Sequence, residues 1–213
     1  MKGITFGTTH SFNSWGLILT DKEIGIPKPK TMKLEIEGAD GVLDYTEYFG
    51  GVKYDNRVLK FSFEIGGKTS SEFLDLISDI QDVIHGKVLQ ITLDDDPDYY
   101  YKGRAMVTNL TLKKGIGTVE FEVDAEPYKL KKNATKVSFA VSGTKQITLV
   151  NERKPVVPTI TTTTGMTIVF GGFTHSANAG TYRIPELELK QGQNTLTVTG
   201  SGNITFEYQE GRL

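Results

Sequence analysis

The feature that most constrains the fold of this chain is an alternation of apolar and polar residues with a period of two. It is clearest in three stretches, whose apolar residues are Met32, Leu34 and Ile36, then Leu59, Phe61, Phe63 and Ile65, then Val119, Phe121 and Val123. Successive side chains of an extended strand point to opposite faces, so this period places one set of residues on a core face and the other toward water. The segments between them are rich in Gly, Asn and Asp, which is typical of hairpin turns. The sequence therefore predicts a mainly β protein.

One segment, TSSEFLDLISDIQDVIHG from Thr69 to Gly86, has a helical period instead. Its apolar residues share one helical face, and they are Phe73, Leu76, Ile77, Ile80, Val83 and Ile84. Thr69 followed by Glu72 fits a capping box, and Gly86 provides a C-terminal stop. The pattern predicts one helix over about residues 70–85 that lies on a sheet. Its other side, with Asp75, Asp79 and Asp82, is expected to face solvent.

The composition changes near residues 127–134, which predicts a boundary between two domains. Residues 1–133 hold 17 Lys and Arg against 21 Asp and Glu, whereas residues 134–213 hold seven Lys and Arg, five Glu and no Asp. The second segment contains closely spaced short patterns typical of strands, which are KVSFAV, KQITLV, GMTIVF, LELK, TLTVTG and NITFEY. We therefore expect domains at 1–133 and 134–213, and the second is predicted to be a small antiparallel sandwich or jelly roll.

Charge and composition exclude several classes of function. The formal net charge is -2, so the composition does not favour binding to nucleic acid through a concentrated positive face. The chain has no cysteine, which excludes disulfides and thiolate metal sites. The N-terminal stretch lacks the apolar core of a signal peptide, and no apolar run approaches the ~20 residues of a membrane span. A soluble protein that is neither exported by such a signal nor associated with a membrane is expected.

No catalytic or metal-binding pattern is present in the sequence. The three histidines, His10, His85 and His175, lie in different contexts and lack a second ligand at metal spacing. No serine has the surroundings of a nucleophile elbow, and the glycine pairs match neither a phosphate loop nor a dinucleotide fingerprint. We therefore assign no catalytic residue, no metal and no cofactor, and we expect a protein that is not an enzyme.

The acidic stretch from Asp94 to Tyr101, DDDPDYYY, allows several interpretations. Its carboxylates could form a calcium loop or an acid/base pair, but an EF-hand loop requires a central glycine and a distal glutamate that are missing here. A glycosidase requires two acids across a cleft, and the sequence does not show such a gap. The favoured interpretation is a turn, in which the aspartates and Pro97 reverse the chain between two strands and the tyrosines begin the second strand.

Several blocks of the sequence together resemble a known family. They are FNSWGLIL (12–19), GADGVLDYTEYFGGVKYDNRVLKFSFEI (38–65), HGKVLQITLDDDPDYYYKGRAMV (85–107) and GQNTLTVTGSGNITFEYQEGRL (192–213). They lie on either side of the predicted helix in the order found in the distal tail (Dit) proteins of long-tailed phages and of Gram-positive prophages. The chain resembles this family over essentially its whole length.

The resemblance implies a fold and a function. The first domain would be a β-sandwich with one helix and an extended hairpin, and the second would be a galectin-like sandwich. Six copies would close into a ring at the distal end of the phage tail, after assembly in the cytoplasm of the host bacterium. The ring would join the major tube protein to a tail-associated fibre or lysin protein, and DNA would pass through its lumen without specific binding.

Two sets of residues are candidates for contacts with partners. Trp15, the only tryptophan, is either an anchor at an oligomer interface or a cap on the core of its own domain. The alternative function is a carbohydrate-binding module that contacts cell-wall sugars. In that case Phe173 and His175, in the predicted loop 171–180, are the best candidates for sugar contacts.

Overall fold

A computed structural model describes residues 2–48, 50–113 and 115–213. The chain forms two compact units, Met1–Pro127 and Tyr128–Leu213, and each has its own hydrophobic core. The predicted mainly β architecture is confirmed, with antiparallel sheets. The predicted domain boundary between residues 133 and 134 lies a few residues inside the second unit. The division of the chain into domains at 1–133 and 134–213 stays a prediction.

The first unit contains nine strands and two helices among its described residues. In chain order they are β1 (Ile4–Phe6), β2 (Thr9–His10), α1 (Ser11–Trp15), β3 (Ile18–Ile24), β4 (Lys33–Glu35), β5 (Val42–Asp44), β6 (Arg57–Gly66), α2 (Ser70–Ile84), β7 (Val88–Leu93), β8 (Tyr99–Lys113) and β9 (Ile116–Ala125). Seven of these strands form a sheet in the order β2-β1-β7-β8-β9-β6-β3, while β4 and β5 pair only with each other. The β4–β5 hairpin is therefore separate from the main sheet.

The core of the first unit is built from the alternating residues that the sequence predicts. Leu59, Phe61 and Phe63 of β6 are buried, as are Val119, Phe121 and Val123 of β9. At the centre, Phe6 contacts the rings of Phe61 and Phe121 at centroid distances of 6.1 and 5.3 Å, in edge-to-face geometry. Aromatic pairs of this kind contribute beyond the apolar area that they bury.

Helix α2 confirms the predicted helix. Its capping box is formed, since the Glu72 N–H donates to the Thr69 hydroxyl while the Thr69 N–H donates to the Glu72 carboxylate. Phe73, Ile77, Ile80 and Ile84 are buried, and the aspartates of the opposite side are exposed. Phe73 lies over Gly117 of β9, where a Cβ would come within 2.6 Å of the Phe73 ring. The absence of a side chain at residue 117 is what lets the helix approach the sheet so closely.

Helix α1 was not predicted from the sequence. The His10 Nδ1 caps it by accepting hydrogen bonds from the N–H groups of Phe12 and Asn13. Gly16 ends the helix with a positive φ of 70°, and its N–H donates to the Phe12 carbonyl. A helix of five residues has too few apolar positions to show a period.

The second unit is built around two long paired strands. Its strands are β10 (Lys129–Lys131), β11 (Thr135–Asn151), β12 (Thr159–Thr162), β13 (Met166–Phe170), β14 (Phe173–Ala177), β15 (Gly180–Arg183), β16 (Gly192–Tyr208) and β17 (Gly211–Arg212). The main sheet has the order β14-β13-β16-β12-β15, β11 also pairs with β16, and β10 pairs with β17. Its buried core includes Ile147, Ile160, Leu196, Ile204 and Phe206.

The second unit differs from the predicted run of short strands. KVSFAV and KQITLV belong to one strand of 17 residues, β11, and TLTVTG and NITFEY belong to another, β16. The register is continuous through the facing pair Gly143–Gly200. The prediction was wrong because these glycines lie inside strands, where positive φ values of 81° and 157° are accommodated without ending the ladder. The predicted loop 171–180 is also largely strand, since β14 covers residues 173–177 and β15 begins at Gly180.

Candidate functional site: an exposed arm

The arm of the first unit, which we define as residues 27–57, is the most distinctive feature of its surface. Its tip, residues 31–48, contains the β4–β5 hairpin, in which Leu34 pairs with Leu43. Its root, residues 27–30 and 53–57, continues the ladder: the Lys30 N–H donates to the Lys53 carbonyl at 2.8 Å. Gly38 and Gly41 supply positive φ values of 81° and 77° in the turn. The glycines and aspartates of residues 38–44 predict a tight turn in the sequence, and the structure has one there. Phe49 lies outside the described residues.

One face of the tip is apolar, and no other described part of the chain covers it. Met32, Leu34, Ile36 and Leu43 lie on this face and are 55%, 52%, 46% and 46% exposed. The prediction that Met32, Leu34 and Ile36 face a core is therefore wrong for the single chain, because no second layer packs on the hairpin among the residues that the structure describes. A two-stranded hairpin is marginally stable in water, and a continuous exposed apolar face is typical of an interaction surface.

The two ends of the arm differ in charge. The tip carries five carboxylates and one lysine; the carboxylates are those of Glu35, Glu37, Asp40, Asp44 and Glu47, and the lysine is Lys33. The root carries four basic residues and one acidic residue, which are Lys28, Lys30, Lys53, Arg57 and Asp55. The arm is therefore acidic at its tip and basic at its root.

Arg57, at the end of the root, is a buried cation. It is 5% exposed, its guanidinium carbon lies 5.5 Å from the centroid of the Tyr101 ring, and its Nε has no hydrogen-bond partner. Burial lowers the pKa of Arg57 below its usual value, while the nearby Tyr101 acts in the opposite direction. Among the described residues, Arg57 forms no ion pair with a carboxylate. An unpaired buried charge is costly, which makes this position unusual.

The Asp94–Tyr101 stretch is a turn between β7 and β8, as the favoured interpretation predicts. Its structural role is to tie the N-terminal segment to the sheet. The Asp94 carboxylate accepts hydrogen bonds from the Gly3 N–H at 2.8 Å and from the His10 Nε2 at 3.1 Å. Asp95 forms ion pairs with both Lys2 and Lys22. No local pattern in the sequence predicts these contacts, because the partners are distant along the chain.

The two aspartates of this turn have lowered pKa values. The hydrogen bond from Lys2, followed by that from Lys22, lowers the pKa of Asp95 from 3.8 to about 2. Partial burial raises the pKa of Asp94, but the hydrogen bonds from His10 and the Gly3 N–H outweigh it and leave that pKa below its usual value. Within residues 2–48, 50–113 and 115–213, no group of three or more His, Cys, Asp or Glu residues could hold a metal ion.

Trp15 lies in the core of its own unit. It is 9% exposed, and its ring centroid is 6.5 Å from that of Phe6. This position fits the interpretation in which Trp15 caps the core of its own domain. A role for Trp15 at an oligomer interface stays a prediction.

Phe173 and His175 belong to a short aromatic row in the second unit. Their rings are stacked with an interplanar angle of 20° at 6.5 Å, and the His175 ring is 6.4 Å from that of Tyr182. Phe173 is 38% exposed, whereas His175 and Tyr182 are half-buried. Tyr182 also packs against the core of the second unit, and its hydroxyl donates to the Asn178 carbonyl at 2.9 Å.

The complete chain superposes on a solved structure. It matches the crystal structure of the SPP1 Dit (gp 19.1) protein with a TM-score of 0.71 over 100% of both chains. The chain has the Dit fold. The sequence identity is 17%, so the likeness concerns the fold, and the resemblance inferred from the sequence is confirmed at that level. The SPP1 protein is described as a paradigm of the hub adsorption apparatus in phages that infect Gram-positive bacteria.

Comparisons of sequence add no further assignment to the Dit fold. No protein-family model matches the chain, and no curated protein matches it. Among the described residues, none of the helices combines the length and the apolar character that crossing a membrane would require.

Proposed function

We propose that this chain is a structural, non-enzymatic hub protein at the distal tip of a phage tail, and that six copies close into a ring. The observation that carries the proposal is the Dit fold over the full length of the chain, shared with a hub protein of the adsorption apparatus. The ring joins the major tube protein to a tail-associated fibre or lysin protein. DNA passes through its lumen without specific binding, and assembly takes place in the cytoplasm of the host.

The exposed arm supports assembly into an oligomer. Its apolar face, with four side chains about half exposed, has no covering layer among the described residues of its own unit. A second copy of the chain would supply that layer, since hairpins gain stability when a hydrophobic face packs against another element. If the surface that receives the arm differs from the arm itself, the contact is head-to-tail, and such contacts form closed rings or filaments.

The ring is tested by measuring the mass of the purified protein. One chain weighs 23.5 kDa, so six copies give about 141 kDa in light scattering coupled to gel filtration. A matched variant in which residues 31–48 are replaced by a short Gly-Ser turn should keep the β spectrum and lose the higher mass. Gold-labelled antibody against the chain should mark the distal tip of phage tails. A chain that stays monomeric, together with label elsewhere on the particle or absent from it, would refute the proposal.

A second candidate function is sugar binding by the second unit. The observation in its favour is the row formed by Phe173, His175 and Tyr182, because aromatic rings at a surface are the usual platforms for sugar rings. A glycan array and a cell-wall pull-down test it directly. Binding should be lost in Phe173→Ala and kept in Val150→Ala, which also removes an exposed apolar side chain. Absence of binding in the unaltered protein would remove this candidate.

A further inference from the structure

We infer that the free edge of β11, over residues 144–150, is a docking site for an extended segment of another protein, which adds a strand to the second unit. Binding of this kind is recognised chiefly by backbone hydrogen bonds, and side chains next to the edge select the sequence of the segment. The inference goes beyond the proposed ring, because it concerns a surface of the second unit that ring closure does not require.

Strand β11 lies at the edge of its sheet. It pairs with β16 from Thr135 to Asn151, and β16 pairs on its other side with β12 and β13. Among the described residues, β11 pairs with no other strand. Strands β14 and β15 are also edges of this sheet, but they have five and four residues against the 17 of β11. The longest free edge of the sheet is therefore that of β11.

The alternation of the ladder indicates which residues of β11 point away from β16. In an antiparallel pair, every second residue directs its N–H and C=O to the partner strand, and the residues between direct theirs away. The Ala140 carbonyl accepts a hydrogen bond from the Lys145 Nζ at 2.9 Å, and the Val150 carbonyl accepts one from the Tyr208 hydroxyl at 2.6 Å. Because the register is continuous, we assign the even-numbered residues of β11 to the outward set.

Three of the outward residues keep their backbone groups free. They are Thr144, Gln146 and Thr148, and all three are exposed. Within the part of the chain that the structure describes, β16 is the only strand beside them, and no turn or loop bonds to their N–H or C=O groups. A row of unpaired backbone groups at a sheet edge is a template for a further strand.

Residues 144–150 lack the usual protection of a free edge. Proteins block such edges with proline, bulges or charged side chains. This stretch has no proline, its register with β16 has no bulge, and its only charged residue is Lys145 near one end. Lys145 instead covers the first half of the strand, since it donates to the Ala140 carbonyl and lies 5.7 Å from the Phe139 ring centroid. The second half of β11 is therefore the part that is open to a partner.

The side chains beside the edge define the segment that fits. The exposed Thr and Gln side chains of residues 144–148 are uncharged, and they favour small polar side chains opposite them. Ile147 and Leu149 alternate with them and are buried, so an apolar side chain opposite each would extend the core. Lys145 favours a carboxylate at the end of the segment that it faces. The segment therefore alternates small polar and apolar residues and is acidic at one end.

A second copy of the chain fits this edge less well. Two β11 edges that pair antiparallel are related by a two-fold axis, whereas the proposed ring repeats one head-to-tail contact. Pairing of two edges would also leave Lys145 without a carboxylate, because residues 144–150 contain none. A segment of a different protein supplies both the backbone and the charge.

A synthetic peptide tests the docking on the purified chain. Residues 193–199, QNTLTVT, already pair with residues 144–150 on the other side of β11, and they alternate polar and apolar residues. The probe is this sequence followed by glutamate, which lies near Lys145 when the peptide pairs antiparallel. Fluorescence anisotropy should show binding. The same peptide ending in lysine should bind roughly threefold more weakly.

Methylation of the peptide backbone separates strand pairing from side-chain contacts. Two versions of the probe carry N-methyl groups on alternate residues, so that one version loses the N–H groups that face β11 and the other loses those that face solvent. One version alone should bind on the order of tenfold more weakly, because only one set of N–H groups donates to β11. Equal affinities of the two versions would overturn pairing through the backbone.

Amide exchange measured by NMR locates the added strand. In the free chain, the N–H groups of Gln146 and Thr148 should exchange fast, and those of Ile147 and Leu149 should exchange slowly because they bond to β16. Saturating peptide should slow exchange at Gln146 and Thr148 by on the order of tenfold or more. The amides of β14, the edge strand at the other side of the sheet, should not change.

A proline at the edge gives a matched pair of variants. Gln146→Pro removes one outward N–H, which a proline at an edge position allows without loss of a ladder bond. It should weaken peptide binding by on the order of tenfold, whereas Gln146→Ser, which keeps the N–H, should bind as the unaltered chain does. Melting curves of the two variants show whether both are folded, and the exchange measurement on the unaltered chain does not depend on them.

The remaining outcomes are decisive in either direction. Peptide binding that slows exchange at Gln146 and Thr148 supports the docking edge. The docking would be overturned by no binding at millimolar peptide, by protection at β14 instead, or by slow exchange at Gln146 and Thr148 in the dilute free chain. Protection that rises with protein concentration in the absence of peptide would assign the edge to a second copy. A chain that never forms a ring would leave this inference standing.

Discussion

Arg57 lies over the ring of Tyr101, with its guanidinium carbon 5.5 Å from the ring centroid, and both side chains are buried. The contact is a cation–π interaction, and it compensates only partly for removing the charge from water. The Nε of Arg57 has no hydrogen-bond partner in this arrangement. Because Arg57 stays buried although its Nε has no hydrogen-bond partner, we expect this residue to do more than stabilise the single chain.

Replacing Arg57 by methionine should therefore change the stability of the isolated chain little. The loss of the cation–π contact and the relief of the buried charge oppose each other, so we expect a change in the free energy of unfolding within about 1 kcal/mol. Urea denaturation of the dilute protein measures it, with Lys60→Met as an exposed control in the same strand. A loss above about 3 kcal/mol would mean that the guanidinium is satisfied in the single chain.

Asp95 should make the first unit sensitive to acid. Its pKa falls from 3.8 to about 2 on folding, chiefly through Lys2 and then Lys22. A lowered carboxyl pKa stabilises the folded state above the unfolded pKa, and this contribution disappears as pH falls from 3.8 to about 2. The melting temperature of the unaltered protein should drop across this window. Asp95→Asn should weaken that drop, whereas Asp98→Asn, in the same turn, should retain it.

Gly117 should be intolerant of a side chain. A Cβ there would collide with the Phe73 ring, which holds α2 on the sheet. Gly117→Ala is expected to lower the free energy of unfolding by about 1–3 kcal/mol, as overpacking does. Gly66→Ala is the matched control, because Gly66 is the neighbouring glycine of the paired strand and a Cβ there would meet nothing within 4 Å. Equal stabilities of the two variants in urea titrations would contradict the packing of α2 described above.

Two substitutions at Trp15 separate its possible roles. Trp15→Ala should lower the free energy of unfolding by about 3–5 kcal/mol, because the ring packs in the core against Phe6. Trp15→Phe keeps most of the apolar volume and should fold. If Trp15 also contacts a neighbouring copy, Trp15→Phe will lower the mass seen by light scattering while its melting curve stays near that of the unaltered protein. If Trp15→Phe assembles fully, Trp15 contributes to the core of its own unit and not to a contact between copies.

The sequence predicted best the features whose determinants are local. The Thr69–Glu72 box and the spacing from Phe73 to Ile84 are contained within one segment, and α2 begins and ends where they indicate. The turn at Asp94–Tyr101 was predicted from its composition. Its contacts were not, because Lys22 is 73 residues away from Asp95 and no local pattern records such a partner.

Periodicity determined which residues of this chain share a face, and only the tertiary structure decided what covers that face. Leu59, Phe61 and Phe63 have the same period as Met32, Leu34 and Ile36, yet the first set is buried in the core and the second is about half exposed on the arm. Gly143 is likewise a residue of the type found in turns, but it continues a strand because it lies in register opposite Gly200. The physical reason is that a strand's alternation arises from its own backbone, whereas burial depends on which distant segment packs against it.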